Sequence, residues 1–286
     1  MSGTAIVTPS FSLDFERCKL LVESLARCAP QLPHYLIIDQ RDRAMFRMLE
    51  DERTTIIESE ELLSRIFVRM PMQRSYWFNR RGLPVRGWIM QQILKIAAAN
   101  VIDEQVLVFV DSDVAFIRPF DETVLLIDGQ PGLLDTDFLG GRTIDYGSTA
   151  CHLLGLNAAS VTPRGHIGNM ICWRRDNVLA MQHRIEEARG IDWQQAIARQ
   201  PFFSEYILYG IFVRTVLGYP AAAQQPSDAP LIKHSWGADL STARAMSNFF
   251  AEFDASTVGV MAHSKDAIDL VQMRVELERQ WQTFCG

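Results

Sequence analysis

The sequence predicts an α/β fold, a mostly parallel central sheet flanked by helices, from three observations. The first is rhythm. Short β-branched runs alternate with amphipathic helical stretches through the first 120 residues. The second is Val106 to Val110 (VLVFV), an unbroken apolar run too short for a typical helix. Such a run reads as a strand buried on both faces, as in sheets covered by helices. The third is its ending. Asp111-Ser112-Asp113 interrupts the apolar sequence, which resumes at once as Val-Ala-Phe-Ile. Two carboxylates in that setting are costly unless something offsets their charge.

Each element follows from its pattern. Thr4 to Thr8 is a first strand, ended by Pro9-Ser10. A helix starts near Asp14, with Phe15, Cys18, Leu21, Val22 and Leu25 on one stripe and Ser12 or Asp14 as its cap. Tyr35 to Ile38 is a second strand, closed by Asp39, and Thr54 to Ile57 a third; Glu58 to Phe67 is expected to be helical. Residues 69–87 gather Arg69, Arg74, Arg80, Arg81 and Arg86 around Tyr76, Trp77 and Phe78. That stretch is either a phosphate- and sugar-facing surface or a loop with buried aromatics and a solvated charged face.

Gly87 to Asn100 is a helix with two stripes. Ile89, Ile93 and Ile96 form one; Trp88, Gln91, Gln92 and Lys95 form the other. After the Asp-x-Asp strand, Asp121 to Ile127 is a short helix and Gly132 to Asp137 a further sheet edge. Phe138 to Gly168, rich in glycine and carrying Tyr146, His152, Asn157 and His166, is expected to be a substrate-binding loop. Ile167 to Trp173 is a strand with Gly168 and Asn169 at its start, followed by a helix over 174–188. Phe202 to Leu217 is a mostly apolar helix in which Ser204-Glu205 stands out, as a functional acid or as a helix cap. Leu240 to Phe253 is a helix and Thr257 to Met261 a last strand. His234-Ser235 and His263-Ser264 each follow an apolar stretch, and a final helix runs to the C-terminus.

Composition narrows the function. The 286 residues suit one large domain or two small ones, and a single domain over 1–286 is expected, with 1–120 as its ligand-binding first half and 121–286 as the second. A net charge of -6 argues against nucleic acid as a general partner. Five cysteines without a Cys-x-x-Cys spacing read as reduced thiols in a cytoplasmic protein. No transmembrane run or signal peptide is visible; a peripheral position at the inner face of a membrane is the alternative placement.

Where the chain stays extended, Asp111 and Asp113 point the same way beyond the carboxyl end of a strand, where open α/β sheets bind ligands. Carboxylate oxygens there suit a hard divalent cation; the plain alternative is a solvated acidic turn. A strand ending in Asp-x-Asp, then an apolar strand and Arg118-Pro119-Phe120, resembles the metal-binding motif of A-type glycosyltransferases, loosely of the glycogenin and galactosyltransferase-like group. The resemblance implies a GT-A-like fold and an enzyme that moves a sugar from a nucleotide diphosphate donor, a UDP-sugar favoured, to a hydroxyl acceptor on a glycan, a lipid-linked carrier or another molecule. It implies polysaccharide or glycoconjugate synthesis with Mn2+ (or Mg2+) as cofactor.

Residue by residue, the resemblance puts Asp111, Asp113 and His263 on the metal, with His234 in reserve. It puts Thr8, Pro9, Ser10, Asp39, Lys95, Ser112 and Lys265 at the donor. Trp88, Gln91, Gln92, Gly168, Asn169 and His234 face the acceptor. Glu205 is the catalytic candidate: general base if the anomeric carbon is inverted, acceptor contact if it is retained. Against these roles stand ordinary ones: a solvated strand end for Asp39, a solvent-facing stripe for Lys95, a cap for Glu205, and for His263 a polar residue at the surface. Two rival functions remain, a non-catalytic nucleotide-sugar or glycan-binding protein and a Mg-dependent phosphatase. The latter is disfavoured because its motif normally sits on the first strand and is followed by Thr, where this chain has Ala115.

Overall fold

The computed structural model describes residues 3–70, 75–235, 239–263 and 268–285. The elements that position the site are, in chain order, β1 (Thr4–Pro9), α1 (Phe15–Cys28), β2 (His34–Ile38), β3 (Thr54–Glu58), α2 (Gly87–Ala97), β4 (Val106–Val110), β5 (Val114–Phe116), α3 (Thr143–Leu154), β6 (Met170–Arg174), α4 (Arg175–Arg189), α5 (Glu205–Ile211), β7 (Ile232–His234), β8 (Gly259–Met261) and α6 (Leu270–Phe284). The central sheet runs β6-β4-β1-β2-β3. Its members β4, β1, β2 and β3 are mutually parallel, and β6 closes the edge antiparallel to β4. Their carboxyl ends therefore fall on one side, which brings Ser10, Asp39 and Asp111 to the same edge.

The VLVFV run is buried on both faces because successive side chains point opposite ways. Leu107 and Phe109 pack with Ile89, Met90 and Ile93 of α2, while Val106, Val108 and Val110 pack with Leu21 and Leu25 of α1 and Leu277 and Trp281 of α6. Each such side chain contributes about 1.5–3 kcal/mol when fully buried. Trp173 of β6 fills the first layer, 4.5 Å from Phe109 and stacked 4.8 Å from Tyr209 of α5.

Several expectations are corrected. The helix over 58–67 is a single turn, Ser59–Leu62; Phe67–Arg69 then starts an antiparallel three-stranded sheet with Tyr76–Asn79 and Val85–Arg86. Alternate burial of Trp77 and Asn79 there favours strand over helix. Asp121 to Ile127 is a 3-10 turn, Glu122–Leu125, followed by a two-residue strand. The expected sheet edge near Gly132 is a strand, Gln130–Leu134, in a separate small sheet rather than the central one. The glycine-rich stretch 138–168 is not all loop, since it holds α3. Gly147 lies where α3 meets Ile211, and Gly155 ends the helix in the left-handed region, φ 69°. Glycines read as loop punctuation are thus a helix position facing Ile211 and a helix cap. The apolar helix from 202 starts at Glu205 and turns into a π-helix over Phe212–Leu217. The helix expected over 240–253 is confined to Ala243–Ala251.

Candidate active site

The Asp-x-Asp segment does not continue the strand. After Val110 the chain makes a tight turn, in which the Val114 N–H donates to the Asp111 carbonyl at 3.1 Å. It then enters β5, which pairs with β8. The two carboxylates are therefore presented by a turn, not by extended alternation. The turn is tied to the late strands: the Ala262 N–H donates to the Asp113 carbonyl at 2.9 Å, and the His263 N–H donates to Ser235 Oγ at 3.3 Å. His263 thus stands beside the turn although 150 positions separate it from Asp113.

Lys95 is the hub. Its side chain is 5% exposed, and it reaches Asp111 Oδ1 at 3.1 Å and Glu205 Oε1 at 3.1 Å. It also donates to the Tyr206 hydroxyl at 2.8 Å. Burial alone would lower its pKa, but Asp111, Tyr206 and Glu205 hold it well above the ordinary lysine value. The stripe carrying Gln92 and Lys95 therefore faces the interior, because it has buried acidic and phenolic partners to meet. Trp88 starts that stripe, half-exposed at the surface, with its ring 6.0 Å from Tyr146 of α3.

Glu205 opens α5. Its side chain is 6% exposed, and its backbone N–H donates to Gln92 Oε1 at 3.0 Å. The cap itself is Ser204, whose hydroxyl accepts from the Ile207 N–H at 3.4 Å. Burial raises the Glu205 carboxyl, with Lys95 pulling the other way. Gly210 in the same helix has a packing reason: a Cβ there would meet the His166 ring at 2.3 Å.

Asp14, which the sequence offered only as a helix cap, lies near Asp111 and Ser112. It makes no side-chain cap bond. Burial and the negative charge of Asp111 raise its carboxyl, against Arg17, and Ser112 and His263 act on it too. The signal was its place one turn beyond β1, at the carboxyl edge of the sheet. Tyr206, the hydroxyl partner of Lys95, was likewise not assigned a role.

Asp39 is neither solvated nor free. It is buried at the end of β2, accepts from the Arg41 backbone N–H at 2.9 Å, and pairs with the guanidinium groups of Arg41 and Arg69. Burial would raise it, but the Arg41 bonds and the Arg69 charge hold it below the usual carboxylate range. Arg69 in turn lies 3.9 Å over the Trp77 ring. The Thr8 hydroxyl is fully buried and shared with His34 Nε2 at 3.1 Å, while Pro9 and Ser10 reach the sheet edge. Gly168, Asn169 and His234 are in the wall of a cavity of about 890 Å³ beside β6 and β7. Gln91 is half-buried on α2. Lys265 and Arg74 lie outside the described residues.

Among the described residues, no three His, Cys, Asp or Glu side chains are grouped as a ready-made metal site. Asp14 and Asp111 share the edge: burial first, and then the charge of Asp111, raise the Asp14 carboxyl, while Arg17 lowers it.

The description "Family of unknown function (DUF6492)" matches residues 6–277. The chain belongs to this family. No curated protein sequence matches this DUF6492 chain. Solved structures do resemble it. An active-site mutant of LgtC gives a TM-score of 0.51 at 11% identity, over 96% of this chain and 95% of that one. The bifunctional glycosyltransferase WbbM, in its apo form, gives 0.52 at 7% identity, over 100% of this chain and 52% of WbbM. At these identities the likeness concerns the fold, and the DUF6492 chain has a GT-A-like α/β fold with a five-stranded, mostly parallel central sheet.

Proposed function

We propose that this protein is a metal-dependent glycosyltransferase that moves a sugar from a nucleotide diphosphate donor, a UDP-sugar first among candidates, to a hydroxyl acceptor. The observation that carries the reading is the Asp111-Ser112-Asp113 turn at the carboxyl end of β4, with Lys95 on Asp111. Small divalent ions are commonly held by one or two protein carboxylates with substrate phosphates completing the shell, so a site with few protein ligands suits them. Asp111 and Asp113 would hold Mn2+ or Mg2+, with His263 beside them. A bound cation supplies Lewis-acid neutralisation of the diphosphate leaving group.

The chain's own residues then have distinct tasks. Lys95 fixes the Asp111 carboxylate and adds positive charge close to where the diphosphate develops negative charge. Asp39, held by Arg41 and Arg69, braces the nucleoside end of the edge, with Pro9 and Ser10 beside it. Glu205 is buried against Lys95, which suits positioning of the lysine more than direct contact with an acceptor hydroxyl. Trp88, Asn169 and His234 line the acceptor side, and Lys265 remains a candidate donor contact.

The same burial of Glu205 favours a second reading, a nucleotide-sugar-binding protein without transfer. A thermal-shift panel of nucleotide diphosphates with and without manganese tests the site shared by both readings. Ligands that bind the folded state raise its apparent stability, by about 2.7 kcal/mol at a hundred times Kd. A manganese-dependent rise with one base, lost in Asp111→Ala/Asp113→Ala, supports the donor site; no response from folded protein removes it. Release of free nucleotide diphosphate from the matching sugar donor then separates transferase from binder.

A further inference from the structure

A cavity of about 890 Å³ beside β6 and β7 is left unused by the donor reading. Its size is that of a small-molecule site rather than a face for a folded partner. Its wall is mostly apolar, built from side chains such as Leu125, Ile127, Leu134, Met170, Ile171 and Ile232. The polar residues in its wall include Asn169 and His234.

Three links connect this space to the acidic turn. Met170, in the wall, is the register partner of Val110, the residue before Asp111. Tyr146, also in the wall, has its ring against Trp88 on the helix that carries Lys95. His234 pairs in register with Met261, two residues before His263.

The apolar character continues outward. Phe138 and Ile167 line the cavity yet are 76% and 45% exposed. Leu139 and Trp88 add further exposed apolar surface, and Arg142 holds its guanidinium 4.4 Å over the Phe202 ring. Large exposed apolar side chains gathered at a cavity mark a binding site. A free sugar or a polar glycan would gain little from such a wall.

We infer that this cavity holds the apolar aglycone of an amphipathic acceptor, with the acceptor's hydroxyl-bearing head at Asn169 and His234, toward the Asp111–Asp113 turn. The inference rests on the glycosyltransferase reading and narrows its acceptor to molecules with an alkyl, isoprenoid-like or aromatic tail.

The test uses the full chain and alkyl β-D-glucosides from methyl to octyl, below their micellar concentrations, followed by calorimetric titration. Burial of one methylene strengthens binding about fourfold, so hexyl to octyl is expected to gain at least about tenfold. Gly141→Trp and Ile167→Glu are the variants. A Cβ at Gly141, in the cavity wall, would meet nothing within 4 Å, so a side chain can leave the backbone there without a clash at its first atom. Ile167 is exposed at the mouth, so a charge there is tolerated by the fold. Both are expected to abolish the chain-length dependence while keeping the manganese-dependent nucleotide response. A chain-length dependence unchanged in both variants, or no chain-length dependence in the wild type, overturns the inference. The nucleotide response in the same samples reports separately on the donor reading: if it persists while chain length has no effect, only the aglycone inference falls.

Discussion

Replacing Lys95 by Met separates the buried charge network from ordinary packing. Met keeps most of the volume and removes the cation from between Asp111 and Glu205, each 3.1 Å away. Asp111 is 35% exposed, so water screens its loss. Glu205, 6% exposed, is left buried without its partner. Removing one member of a buried pair costs about 3–5 kcal/mol. For 286 residues the unfolding entropy is about 0.6 kcal/mol per degree, so Tm is expected to fall by about 5–8 °C. The pH dependence gives the mechanism. Without Lys95 the Glu205 carboxyl is raised further, so its folded-state pKa lies above its unfolded value. The variant is then most stable below the unfolded value and loses stability as pH rises through the folded one. Adding Glu205→Gln removes the orphaned charge and is expected to recover more than half of the loss. The assay is urea unfolding followed by tryptophan fluorescence at pH 5, 7 and 8. A Lys95→Met variant within about 1 kcal/mol of wild type, or a double variant no better than the single, would refute the reasoning.

Other expectations follow from single contacts. His34 is buried between Thr8 and Thr54, and burial lowers its pKa to about 3. Because it charges only on unfolding, its contribution is present above its unfolded value near 6.5 and is lost as pH falls; by pH 5 the loss is about 2 kcal/mol. Denaturation curves of His34→Gln should be correspondingly flatter between pH 5 and 7. Gly210→Ala drives a methyl into His166 and is expected to cost about 1–3 kcal/mol, with Gly210→Ala/His166→Ala less affected, as read by thermal unfolding. Cys28 and Cys285 lie with their sulfurs 3.6 Å apart, joining α1 to the residue that follows α6. Diamide treatment should join them within one chain, with loss of two titratable thiols that Cys28→Ser prevents. Arg69→Ala uncovers Asp39 on one side and is expected to weaken nucleotide binding by several-fold in the thermal-shift panel, leaving the fold intact by circular dichroism.

The fold was legible where pattern and burial agree. VLVFV is legible because it is buried on both faces, and α1 because one face of it alone is buried, which leaves an apolar stripe in the sequence. The 58–67 and 138–168 segments were misread because their deciding contacts are distant in sequence. Gly147 looks like a breaker until Ile211 is seen against it, and Phe67 looks helical until Asn79 pairs with it. The site was legible in its acids and less so in its cation. The sequence could not tell whether Lys95 faces water or protein, since the answer depends on Asp111 and Glu205, 16 and 110 positions away. Asp14 escaped a functional reading because a cap explains the same residue at the same place. Its place beyond β1 and its electrostatic coupling to Asp111 and His263 mark it as part of the edge.

In the proposed function the acidic turn is the place where a metal and a nucleotide diphosphate meet. Manganese electron paramagnetic resonance tests that most directly, because the signal of the free hydrated ion fades when the ion is bound. The free signal is expected to drop when protein and a matching nucleotide diphosphate are both present, beyond the drop with either alone, and to return in Asp111→Asn or Asp113→Asn. A free-ion signal unchanged by folded protein with UDP, GDP, CDP or ADP would contradict the proposed function.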